Sequence, residues 1–165
     1  MKKHIFALIT APLLLAVIAP AFAFLDAEEQ DILKGLDGVC VEVKRLRLEI
    51  ERDGLFINTL QTDVELMLRM AGMKVLSDEE AATKPNSPCL YLNLDAMKSS
   101  LGYVYRIQIS LREKVTLVRK PVNVVGTTFR TSDRFAISPH LSEIREDARE
   151  IVDEFVKAWM KANSK

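Results

Sequence analysis

Between Cys89 and Arg112 the chain alternates apolar and polar residues in two consecutive runs, and no other stretch limits its fold so tightly. In the first run Leu90, Leu92 and Leu94 share one side, against Cys89, Tyr91 and Asn93 on the other. In the second, Tyr103, Tyr105, Ile107, Ile109 and Leu111 oppose Arg106, Gln108, Ser110 and Arg112. Successive side chains of an extended backbone point to opposite faces, so a period of two marks a half-buried strand. Two such runs predict a hairpin turning through residues 95 to 102, with one sheet face in a core and the other outside it. Val39, Val41 and Val43, set against Cys40, Glu42 and Lys44, predict a further strand of the same kind.

The apolar face needs a cover, and two helical patterns supply it. After Gly54, the residues Ile57, Leu60, Val64, Met67, Leu68 and Ala71 recur at helical spacing, and Gly72 stands where a left-handed cap is expected. Met73 to Leu76 then reads as a short strand. Near the end, Ser138-Pro139 is a helix start, since serine caps free amides and proline in the first turn loses no bond. From there Leu141, Ile144, Ala148, Ile151, Val152, Phe155 and Trp159 mark one face of a long helix, with acids early and lysines late as the helix dipole favours. Burying its six large apolar side chains contributes roughly 9 to 18 kcal/mol before entropy is set against it. That helix must dock on the sheet.

Elsewhere the chain reads as connection. Asp26 and Glu29 open a short helical lead-in that Gly35 and Gly38 interrupt. Residues 44 to 53 are a charged link and 77 to 88 a polar loop. After a Lys120-Pro121 turn, Val122 to Thr131 is a strand whose apolar parity changes midway, with Gly126 as the candidate bulge. The order β-α-β-β-β-β-α predicts a two-layer α+β fold: a mostly antiparallel sheet of four to five strands with both main helices on one face.

The first 23 residues have the order of a cleaved export signal. Lys2 and Lys3 precede an apolar run from Ile5 to Ala19, and Ala21-Phe22-Ala23 follows the helix breaker Pro20. The run is shorter than the roughly 20 residues that span a bilayer. The expectation is a leader cleaved after Ala23, a single α+β domain over residues 24–165, a periplasmic or secreted location and no stable membrane anchor. No cysteine stands at the cleavage point to carry a lipid. Cleavage leaves 142 of 165 residues and, without Lys2 and Lys3, 21 basic against 23 acidic side chains, a net charge of −2. Near-neutrality argues against general nucleic-acid binding, which needs a basic surface.

Few residues offer chemistry. Cys40 and Cys89 fall on the outward side of their strands, and in an oxidising compartment they can pair as a disulfide if the two strands are neighbours, or remain as two thiols. His140 is the one histidine after cleavage, so any histidine mechanism rests on it alone; the plainer reading is an exposed first-turn residue. No phosphate-binding glycine loop and no zinc-ligand spacing is present, so no cofactor or metal is expected. Asp63 and Glu65 point to different sides of a helix, with Glu65 placed to pair with Arg69. Asp78, Glu79 and Glu80 lack the ligand pattern of a calcium loop. The outward face of the sheet gathers Lys44, Tyr91, Asn93, Arg106, Gln108 and Arg112, a set that suits an envelope protein, an anionic glycan or a lipid head group, or is an ordinary solvated face.

The run Gly54-Leu55 and then Gln61 to Leu76, together with Pro88 to Leu94, Tyr103 to Arg119 and the closing Ile151-Val152-Asp153-Glu154-Phe155, resembles a family of small uncharacterised secreted bacterial α+β proteins. The resemblance covers most of the chain after the leader; it implies an α+β fold and an envelope location and transfers no activity. The element order is also similar, as a pattern, to envelope-assembly modules such as the lipopolysaccharide-assembly lipoprotein and the amino-terminal domain of the Tol translocation protein. The expected function is a non-catalytic accessory or binding protein of the bacterial envelope. The alternatives are a carboxylate-dependent hydrolase, which needs two acids in a cleft, and a self-associating structural protein that forms a homodimer.

Overall fold

The computed structural model describes residues 31–84 and 87–164. The expected leader and the Asp26–Glu29 helix start lie outside the described residues. Strand β1 (Gly38–Val43) leads through a short helix α1 (Leu48–Arg52) into α2 (Ile57–Met70). A two-residue strand β2 (Lys74–Val75) and the short α3 (Asp78–Thr83) precede the long hairpin of β3 (Cys89–Ser99) and β4 (Gly102–Thr116). Strands β5 (Asn123–Arg130) and β6 (Arg134–Ser138) and the helix α4 (Leu141–Asn163) follow.

The fold is α+β. The sheet runs β2-β1-β3-β4-β5, and β6 also pairs with β4. Strand β4 outreaches its neighbours, so its free edge takes two strands end to end: β6 along Tyr103 to Ile107 and β5 along Ser110 to Thr116. The alternation seen in the sequence is the burial pattern. Val39, Val41 and Val43, Leu90, Leu92 and Leu94, and Tyr105, Ile107, Ile109 and Leu111 are all buried, in one cluster with Leu60, Val64 and Leu68 of α2 and Ile144, Ile151, Val152 and Phe155 of α4.

Ionic and polar contacts fasten the helix layer to itself and to the sheet. Arg145 of α4 grips Asp63 of α2 through two nitrogens, at 2.5 and 2.8 Å. The Arg145 guanidinium holds the Asp63 carboxyl below its ordinary value. Arg134 of β6 donates to Glu150 (2.6 Å) and Glu154 (2.9 Å) on α4. The Tyr105 hydroxyl donates to Asp147 at 2.5 Å, and burial, followed by that bond, pushes its ionisation upward.

Several local readings need correction. The predicted element order omits α1, α3 and β6. Helix α1 lies inside the charged link and α3 inside the polar loop. Each is one turn or little more, too short to show a period: α1 buries only Ile50, and α3 is set by a capping box in which Ser77 and Glu80 exchange bonds. Among the described residues the sheet has six strands; β1 is parallel to β2, because the α1–α2 crossover returns the chain in the same direction, and it is parallel to β3 on its other side. The hairpin turn is not residues 95 to 102. The strands continue to Ser99 and Gly102, and Gly102 takes a φ of +114° at a point where any β-carbon would collide with the Ser138 carbonyl oxygen.

The bulge falls at the Leu111/Arg112 junction, two residues beyond Gly126, which stays in register with Glu113. Ser138 closes β6 instead of opening the helix. Its hydroxyl accepts from the His140 N–H (3.0 Å) and donates to Glu143 (2.5 Å), and α4 begins at Leu141 with His140 at the cap position.

Candidate functional site

Both main helices cover the core face of the sheet, so the opposite face is open. Cross-strand register sets what that face carries. Tyr91 lies opposite Ser110, Asn93 opposite Gln108 and Cys89 opposite Arg112. Strand β5 adds Arg130 opposite Ser110 and, because of the bulge, Thr127 opposite Arg112 with Thr128 as the extra residue. A bulge sets two residues against one, which brings Thr127 and Thr128 to the same side. Together they line a concavity of ≈ 390 Å³ whose floor is Gln108 and Ser110, only 6% and 5% exposed.

The concavity is polar without being acidic. No carboxylate lines it, and among the described residues neither Arg112 nor Arg130 makes an ion pair. The Arg112 guanidinium instead lies over the Tyr91 ring, 3.7 Å from its centroid, a cation–π contact between two half-buried side chains. Two polar atoms at its wall, Asn93 Oδ1 and Thr128 Oγ1, are buried with no hydrogen-bond partner. Leaving such a group unpaired costs on the order of 1–3 kcal/mol. Both residues line the same hollow, and a ligand that shifts their side chains can remove such a deficit.

Lys44 and Arg106 sit further along the same face and are already engaged. Lys44 Nζ bonds both oxygens of Asp95 at 2.7 Å. Arg106 bonds Asp133 at 3.1 Å, and the Gln108 amide donates to the same carboxylate. Of the six residues singled out on this face, the structure therefore brings Tyr91, Asn93, Gln108 and Arg112 to one hollow and holds Lys44 and Arg106 outside it in ion pairs. Thr127, Thr128, Arg130 and the neutralising Asp133 escape a reading of the sequence. The signal for the first three was the parity change in Val122 to Thr131, which implies that part of the strand turns toward the outer face.

Cys40 and Cys89 are register partners on the parallel pair β1–β3, and both are free thiols. The Cys40 thiol points to the Pro88 carbonyl at 3.4 Å. Burial, then the hydrogen bond and charge of Cys40, drive the Cys89 thiol far above its ordinary range, so it is a poor nucleophile at neutral pH. A second hollow, ≈ 460 Å³, adjoins the first past Arg112 and has Glu42 and Cys89 in its wall.

The other candidates are structural in their placement. Asp63 is held by Arg145, Glu65 by Arg69 and Glu80 by Lys74, while His140 is exposed. Among the described residues no group of three or more His, Cys, Asp or Glu is placed to hold a metal ion. No described helix is long and apolar enough to cross a membrane. No protein-family model, curated protein or solved structure matches this chain.

Proposed function

We propose that the chain is a non-catalytic binding protein of the bacterial envelope, exported by its leader, that recognises another envelope component through the open sheet face. The observation that carries this reading is the pair of unpartnered buried atoms, Asn93 Oδ1 and Thr128 Oγ1, at one concavity bordered by two arginines without counter-ions. A solvated face arranges its polar atoms toward water; these two are withdrawn from water and left unpaired. The basic, apolar and small-residue order read at residues 1–23 supports the same compartment.

A photo-crosslinking residue at the exposed Thr127, introduced into cells of the native host, tests the reading. The adduct formed in the envelope should disappear in the Asn93→Ala/Arg112→Ala double variant. An adduct pattern unchanged by that variant overturns it.

One observation favours a second reading, self-association. At the far end of the same face Phe135 and Ile137 of the edge strand β6 are 69% and 56% exposed, next to Met97 and Val104 in register. An exposed apolar edge of this kind is a pairing surface. Light scattering from the mature protein that reads a monomer at every concentration removes this reading, whereas a dimer lost in Phe135→Glu supports it.

A further inference from the structure

We infer that the concavity between β3, β4 and β5 is a subsite for an acidic sugar, a hydroxyl-rich ligand bearing carboxylate. The inference rests on the proposal that the open face binds a partner, and it names the chemistry of that partner. Three observations lead to it.

The first is the sign of the unmet demand. Asn93 Oδ1 is an acceptor that a donating ligand group satisfies, while the Thr128 hydroxyl takes either role. Sulfate, which offers acceptors alone, cannot donate to Asn93 Oδ1. The floor and walls otherwise present the hydroxyls of Ser110 and Thr127, which both donate and accept, beside Gln108, whose amide already donates to Asp133. Sugar hydroxyls have the same dual character.

The second is charge. Arg112 and Arg130 border the hollow with no acid in its lining. A planar guanidinium meets a carboxylate through two parallel bonds. Stacking on Tyr91 occupies one face of the Arg112 plane and leaves its edge donors for a ligand. A neutral sugar would leave both guanidiniums without an anion.

The third is size and wall chemistry. At ≈ 390 Å³ the hollow falls near the lower end of the roughly 300–1,000 Å³ typical of small-ligand sites. A protein partner would anchor in it with an aromatic or aliphatic side chain. The one large apolar lining residue, Phe129, turns into the core at 6% exposure and offers no seat for such an anchor.

Titration of the ¹⁵N-labelled mature protein with digalacturonate, followed by NMR, is the test, with maltose and sulfate as comparators. Digalacturonate should shift the Asn93 and Gln108 side-chain amides and the Thr128 backbone amide. Maltose should bind at least about tenfold more weakly, the loss expected for a charge-assisted bond. Sulfate, which cannot donate to Asn93 Oδ1, should bind more weakly than digalacturonate. Arg112→Lys, which keeps the charge and removes the fork, should weaken digalacturonate by a similar factor, and Thr128→Val should do so without unfolding the strand.

Equal affinity for maltose and digalacturonate, shifts confined to other surfaces, or no shifts at all would overturn the acidic-sugar assignment. The crosslinking result separates this failure from that of the parent proposal. If digalacturonate fails while the Asn93→Ala/Arg112→Ala variant still loses its envelope adduct, the face binds a partner of other chemistry. If the adduct also persists, the face is not the binding surface.

Discussion

The two faces of this sheet are made by the same strands and obey opposite rules. On the covered face Ile107, Ile109 and Leu111 meet α4, and the polar groups nearby are matched, with Tyr105 on Asp147 and Arg134 on Glu150 and Glu154. On the open face, one residue along the chain in each case, Gln108 and Ser110 are as buried as core residues but lie beside unpaired atoms and unpaired arginines. The covered face is completed by the chain itself. The open face leaves polar groups unmatched within the described residues, and under the proposed function that contrast separates residues that stabilise from residues that bind.

The largest effect should come from the covered face. Ile109 is fully buried, and truncating such a side chain leaves a cavity, so Ile109→Ala should cost about 2–5 kcal/mol. Its neighbour Ser110→Ala should cost under about 1 kcal/mol. Urea unfolding of the two variants measures both. Comparable losses would mean that the open face is also structural.

The Asp63–Arg145 clamp should come next. Asp63 is 14% exposed and held by two nitrogens, though Arg145 itself is 43% exposed, so after allowing for screening its loss should cost about 1–2 kcal/mol. The pH dependence has a defined sign. The folded carboxyl lies below its ordinary 3.8, so the contribution is fully present above that value and is lost as pH falls from it through the lower folded value. The stability gap between the native chain and Asp63→Asn should therefore be constant near neutrality and shrink below about pH 4. A gap that persists unchanged at pH 2.5 would show that packing, not charge, holds the helices together.

On the open face the expected sign reverses. Thr128→Val removes a hydroxyl that is buried and unpaired, so folding stability should hold or rise by up to about 1 kcal/mol. Binding at the concavity should fall at the same time. A clear loss of stability would mean that Thr128 has a partner and that the hollow is part of the chain's own network.

What could be read in advance follows the length over which a pattern repeats. The β3–β4 hairpin and the buried face of α4 each show many periods, so their inward residues were legible one by one. Helices α1 and α3 and strand β6 show one or two, which is why Ile50, the Ser77–Glu80 box and Phe135 went unseen. Parallel pairing of β1 leaves no mark on a period of two, since the pattern records which side faces the core and not which strand lies alongside. The site was half legible for the same reason. Tyr91, Asn93, Gln108 and Arg112 share a parity, whereas the arrival of Thr128 and Arg130 depends on a bulge whose position is fixed by pairing with β4.

The cysteine pair is the smallest predicted effect on stability and the finest test of the same contrast. Adjacent strands lie about 4.8 Å apart, and Cys40 and Cys89 are register partners on such a pair, within the α-carbon separation a disulfide accepts. As free thiols they interact through the bond that, with burial, suppresses the Cys89 thiolate. Reduced native protein should therefore alkylate at Cys89 at least about tenfold more slowly than unfolded protein, because the thiolate is the reacting species. Cys89→Ser should change stability by less than about 1 kcal/mol. Protein purified from the native host and unfolded without reductant gives the second reading. Two alkylated cysteines mean that the pair stays reduced in its compartment; none, with two appearing after reduction, means that the compartment has joined β1 to β3 at the edge of the open face. Fast alkylation of Cys89 in the native state would contradict the buried, hydrogen-bonded thiol and with it the β1–β3 register on which the outer face is built.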